Sequence, residues 1–113
     1  EQGPKPGTEP FEFPKTVDIK DDDPMIIKNY PSSFTKTDLE KVLRDDGCNA
    51  VFLCGLSATG CVLATYYGAL DRDLVAVMVE RALLSPDVLY TRVVEDFCTS
   101  MTLEKVEETL KGL

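Results

Sequence analysis

From Pro24 onward, apolar and polar residues come in blocks whose spacing switches between that of strands and that of helices. "MIIK" (25–28) is a short apolar run that predicts a strand. "TKTDLEKVLRDDG" (35–47) sets Leu39, Val42 and Leu43 on one helical face, with Thr37 and Glu40 at capping-box spacing and Gly47 as the stop. "AVFLC" (50–54) is apolar at every position, the pattern of a strand covered on both faces. "CVLATYYGAL" (61–70) predicts a helix, and "LVAVMV" (74–79) a second fully buried strand. "SPDVLYTRVVED" (85–96) predicts a helix with Ser85 as N-cap and Pro86 in its first turn. "FCTS" (97–100) reads as a last short strand and "TLEKVEETL" (102–110) as a closing amphipathic helix.

Strands alternating with helices in this rhythm predict βαβ units with right-handed crossovers. The fold class is α/β, a three-layer Rossmann-like parallel sheet with flanking helices. Residues 1–23 differ in kind: they carry Pro4, Pro6, Pro10 and Pro14, and seven acids against three lysines. They predict an extended, acidic leader before a domain over 24–113. "FEF" and "TVDIK" are candidate short extended pieces within it.

Composition narrows the function. A net charge of −8 disfavours nucleic-acid binding through bulk electrostatics, because phosphates need clustered Lys and Arg. No apolar run approaches the ~20 residues that span a bilayer, so no membrane association is expected. Asp21, Asp22 and Asp23 lack EF-hand spacing and read as a solvated turn before Pro24. The four cysteines, Cys48, Cys54, Cys61 and Cys98, form no C-x-x-C pair, which argues against zinc ribbons; two lie in or beside apolar runs, as free thiols do, which favours a reducing, cytoplasmic setting. Histidine is absent, so no Ser-His-Asp, Cys-His or His-based metal site can be assembled from this chain.

The most informative stretch is "CGLSATGCV" (54–62), where a strand hands over to a helix. In parallel α/β sheets, ligands bind beyond the carboxyl ends of the strands. This turn delivers Cys61 to the first turn of a helix, where free N–H groups and the helix dipole favour a thiolate and can hold an oxyanion beside it. Gly55 and Gly60 allow the unusual backbone such a turn requires. Lys28, at the end of "MIIK", is placed to supply an ammonium from a neighbouring strand. From these features alone Cys61 reads either as an activated nucleophile or as a buried, inert thiol. A P-loop is disfavoured, since Cys61 and Val62 stand where Lys and Ser/Thr belong; the serine elbow fails because Thr59 replaces its second glycine.

Two segments at a fixed separation sharpen the choice. "IIKNYPSSFTKTDLEKVL" carries K-x5-F-x2-T-x-L, and "VFLCGLSATGCVLATYYGAL" carries G-x5-C-V with a downstream Thr. Together, over about residues 24–86, they resemble the isochorismatase-like cysteine hydrolases, a superfamily that includes nicotinamidases and N-carbamoyl amidohydrolases. The resemblance implies that Cys61 is the nucleophile forming an acyl-enzyme and that Lys28 holds the thiolate. It implies a cis peptide between Leu56 and Ser57, with the N–H groups of Ser57 and Cys61 as oxyanion hole, and Phe34 near the pocket.

It also implies what this chain lacks. The general-base aspartate of such enzymes stands on the first strand of an N-terminal half that has no counterpart here, as do the Asp and His metal ligands of nicotinamidases. Residues 24–113 are thus expected to be the C-terminal portion of a domain lacking its N-terminal strands. Asp18 is the available stand-in, though its context does not match. Arg81 in "VERALLS" replaces a usual Asp, which predicts a reorganised loop, and Gly60 replaces a usual Asp or Asn. The expected function is hydrolysis of small amides or N-carbamoyl and ureide compounds through a thioester, with no cofactor in this chain. The partners are a small-molecule amide and either a complementary N-terminal fragment or a second copy covering the open sheet edge. A non-catalytic binding or assembly module of the same fold is the alternative. A redox-sensing thiol protein is a third reading.

Overall fold

The computed structural model describes residues 18–112. The predicted extended leader therefore falls mostly outside the described residues, and "FEF" wholly so. Its visible end is a turn in which Asp23 Oδ2 accepts the Lys20 N–H at 2.8 Å. The elements run α1 (Leu39–Asp45), β1 (Ala50–Leu56), α2 (Cys61–Leu70), β2 (Val75–Leu84), α3 (Val88–Phe97), β3 (Ser100–Met101) and α4 (Leu103–Lys111). The three strands form one parallel sheet in the order β1-β2-β3, flanked by the helices, as the block pattern predicts.

Side-chain alternation along β2 sorts the layers. Ala76 and Met78 join Val62, Tyr66 and Ala69 of α2 and Val94 of α3 in one core cluster. Val77 and Val79 are equally buried but lie outside that cluster, and α4, with buried Val106, packs on β2. Period-two alternation therefore puts α2 and α3 on one face and α4 on the other. Tyr66 ties the layers, its hydroxyl accepting the Thr99 N–H at 2.8 Å just before β3. No helix among the described residues is long and apolar enough to cross a membrane.

Several expectations are corrected. "MIIK" forms no strand: residues 24–29 take no regular structure and pair with no strand among the described residues, with Ile27 89% exposed. β1 is not covered on both sides; its first four residues are half-buried and its last three exposed, because it is the edge strand among the described residues. The capping box does not close. Thr37 Oγ1 instead donates to the Ser33 carbonyl and accepts from Leu39 N, while the Glu40 carboxylate turns to Arg44 and Arg72. Asp87, not Ser85, caps α3, accepting the Leu89 N–H at 2.9 Å. Ser85 is occupied with Thr91 and the Asp87 carbonyl.

β2 is irregular where it passes the end of β1. Leu53 pairs with Met78 and Gly55 with Leu83, so β1 advances two residues while β2 advances five. Arg81 lies in this detour, exposed and at φ +71°. The irregularity at Arg81 lies inside the strand, not in the loop after it.

Candidate active site

β1 ends in Gly55 and Leu56, and the chain then crosses to α2 through Ser57–Gly60. Gly55 sits at φ +115°, a conformation that side chains resist, which explains glycine there. Gly60 has no such reason: its φ is −125°, and a Cβ would meet nothing nearer than 3.6 Å. The Leu56–Ser57 peptide bond is cis.

Three backbone hydrogen bonds shape the turn. Gly60 N and Val62 N both donate to the Ser57 carbonyl, at 3.0 and 3.1 Å, and Ala58 N donates across to the Leu84 carbonyl of β2 at 2.7 Å. Ala58 is fully buried, so the turn is pinned from below. Among the described residues, the N–H groups of Ser57 and Cys61 take no part in these bonds. Cys61 is the first residue of α2, at the end where unpaired N–H groups and the positive dipole end gather.

Above this turn opens a pocket of about 250 Å³. Leu53, Cys54, Gly55 and Leu56 of β1 form one wall, and Cys61, Val62 and Thr65 of α2 another. Lys28 and Ser33 close it from the irregular segment before α1. Lys28 and Cys61, far apart in sequence, therefore share one cavity even though Lys28 does not stand on a strand. Among the described residues lining the pocket there is no carboxylate.

The other predicted residues fall elsewhere. Phe34 is 4% exposed and belongs to the core, with the Arg72 guanidinium over its ring, rather than to the lining. Its destination is set by Gly68, where a Cβ would lie 3.0 Å from Phe34 Cδ2: the missing side chain is the space the ring uses. Asp18 forms an exposed ion pair with Lys20 at 2.7 Å and does not line the pocket. Among the described residues no group of three or more His, Cys, Asp or Glu could hold a metal ion, so these residues do not fit the metal site of nicotinamidases.

Ser33 and Thr65 are the polar lining residues to which the sequence reading gave no role. Thr65 Oγ1 accepts the Ser33 N–H at 2.9 Å, meets Ser33 Oγ at 3.2 Å, and donates to the Cys61 carbonyl at 2.8 Å. The available signal was spacing: Thr65 is one helical turn after Cys61 and therefore on its face. Of the four free cysteines, Cys98 is buried, and desolvation pushes its thiol up from the ordinary range.

The isochorismatase domain model matches residues 1–113 of the chain. The isochorismatase family protein YddQ of Bacillus subtilis is 29% identical over 99 residues, covering 88% of this chain and 47% of that protein. An isochorismatase-like hydrolase from Alkaliphilus metalliredigens superposes with a TM-score of 0.85 at 22% identity, covering 92% of this chain and 59% of its own. N-carbamoylsarcosine amidase from Thermoplasma acidophilum superposes with a TM-score of 0.70 at 30% identity, over 85% and 57% respectively. The chain thus spans about half the length of the curated relative it matches.

Proposed function

The chain belongs to the isochorismatase family, and from that premise we propose that it is the nucleophile-bearing part of a cysteine hydrolase of small amides or N-carbamoyl and ureide compounds. The observation that carries this reading is the shared pocket. Cys61 reaches it from a helix N-terminus and Lys28 from a remote segment. A thiolate there has two sources of positive potential, the end of α2 and an ammonium. The likeness to an N-carbamoylsarcosine amidase supports the choice of C–N bonds as target.

The chemistry follows from those groups. The Cys61 sulphur attacks the amide carbonyl carbon, and the carbonyl electron pair moves onto oxygen. The N–H groups of Ser57 and Cys61 stabilise that oxyanion. Collapse expels ammonia or an amine, which takes up a proton, and leaves a thioester, or a thiocarbamate from an N-carbamoyl substrate; water then cleaves it to a carboxylic acid, or to a carbamic acid that loses CO2, and the free thiol. The protons need a general acid–base. Because the described lining offers no carboxylate, we assign that role to an aspartate from polypeptide beyond this half-domain, or from a partner. The same polypeptide would pair with the open edge of β1.

The bare lining also favours a second reading, a binding or assembly module that keeps the fold without the reaction. Iodoacetamide separates the two. Titrated across pH with the modified residue located by mass, an activated Cys61 labels ahead of the other cysteines well below about pH 8, under the ordinary thiol range. Equal sluggishness at Cys48, Cys54 and Cys61 sinks the hydrolase reading. Ammonia release from N-carbamoyl amino acids, lost in Cys61→Ala, is the corresponding activity assay.

A further inference from the structure

We propose that Thr65 is a positioning residue that holds the Lys28 segment against the Cys61 turn through one buried hydroxyl. The inference rests on reading Lys28 and Cys61 as a working pair. Residues 24–31 form no helix or strand, so no regular pairing fixes Lys28 in place. Among the described residues, every hydrogen bond joining segment 24–37 to β1 or α2 ends on Thr65 Oγ1. That same oxygen donates to the carbonyl of Cys61 at 2.8 Å. Thr65 is 6% exposed, so water competes poorly for these bonds.

The connection from Ser33 back to Lys28 is short, and a proline interrupts it. Pro31 fixes its own φ and disfavours helical backbone at Tyr30. With few free torsions between them, a displacement of Ser33 is passed on toward Lys28. Close packing secures the next residue too, since Phe34 is seated over Gly68 and beneath Arg72. Packing alone sets a distance to α2; the Thr65 bonds set the register along it. The titratable groups lining the pocket are Lys28, Cys54 and Cys61, so the Lys28→Gln background separates the part of any change at Cys61 that comes through Lys28.

The test is the pH profile of Cys61 alkylation in the full chain, in the parent, Lys28→Gln, Thr65→Val, Thr65→Ser and the Lys28→Gln/Thr65→Val pair. Thr65→Val keeps the shape and removes the hydroxyl. We expect it to slow alkylation near neutral pH by about three- to tenfold, the factor one net hydrogen bond is worth. Thr65→Ser restores the rate, and Thr65→Val adds little once Lys28 is gone. A Thr65→Val profile matching the parent, or an undiminished effect in the Lys28→Gln background, overturns the inference. A parent Cys61 that is slow and indifferent to Lys28→Gln takes down the underlying reading as well. Amide exchange in the unmodified chain gives a test free of folding effects: the Ser33 N–H exchanges far more slowly than those of Asn29 and Tyr30, and equal rates overturn the inference.

Discussion

The guanidinium of Arg72 lies 4.8 Å from the centroid of the Phe34 ring while its Nε donates to Glu40 and its Nη1 to the Gly68 carbonyl. One side chain thus joins the C-terminal end of α2 to α1 and to the segment that carries Ser33. Arg72→Ala removes a cation–π contact and two partly buried hydrogen bonds. We expect a loss of about 1–3 kcal/mol in urea unfolding. Arg72→Lys recovers only part of it, because an ammonium cannot lie flat on the ring and reach both acceptors.

Two glycines should resist alanine for opposite reasons. At Gly68 the helix would gain about 0.8–1 kcal/mol from alanine. The new Cβ, however, would stand 2.7 Å from Ser32 Oγ and 3.0 Å from the Phe34 ring. The Ser32 hydroxyl can turn away but the ring cannot, so Gly68→Ala is expected to be destabilising overall, by about 1–2 kcal/mol. At Gly55 nothing lies within 4 Å, and the cost of alanine comes from φ +115° alone, about 1–3 kcal/mol. Urea midpoints of the two variants check both values.

Cys98 should be the last thiol to react with iodoacetamide under native conditions, modified only on unfolding. Its thiol is raised by burial, so the unfolded chain ionises this residue first. The sign follows: its contribution to stability is whole below the ordinary thiol range and is lost as pH climbs toward the raised value. Melting temperature should therefore fall with rising alkalinity less steeply in Cys98→Ala than in the parent. Equal slopes would refute this.

The edge of β1 predicts association. Leu56, Val75 and Leu84 are 71%, 56% and 66% exposed, near a parallel strand with no second neighbour among the described residues. Parallel sheets ordinarily bury such edges. Light scattering at micromolar concentration should give a mass above 12.5 kDa that falls on dilution. A sharp monomer with a cooperative melt counts against this.

The order β1-α2-β2-α3-β3-α4 was legible because each block has its own period, and α2 begins and ends where the apolar run does; the "FCTS" strand was misplaced, since Phe97 closes α3 and β3 is Ser100–Met101. The parallel sheet followed from that alternation. What escaped was whatever depends on a neighbour. "MIIK" has the composition of a strand, yet pairing needs a second strand beside it. Thr37 had a partner at capping distance in sequence, but Ser33 competed for its hydroxyl and two arginines drew Glu40 away. In the site, Cys61 and Lys28 were visible as chemistry. Ser33 and Thr65 were not, since small hydroxyls announce no role until the two segments meet. Phe34 went to the core because a residue more than thirty positions away happens to be glycine.

The detour in β2 fixes the altitude of the turn from Ser57 to Gly60. Only after the extra residues around Arg81 does the strand present the Leu84 carbonyl that grips Ala58. Trimming that excursion would withdraw the anchor and let the loop settle lower over the sheet, carrying the sulphur with it. A stretch of chain outside the pocket lining thereby acts as the shim under Cys61.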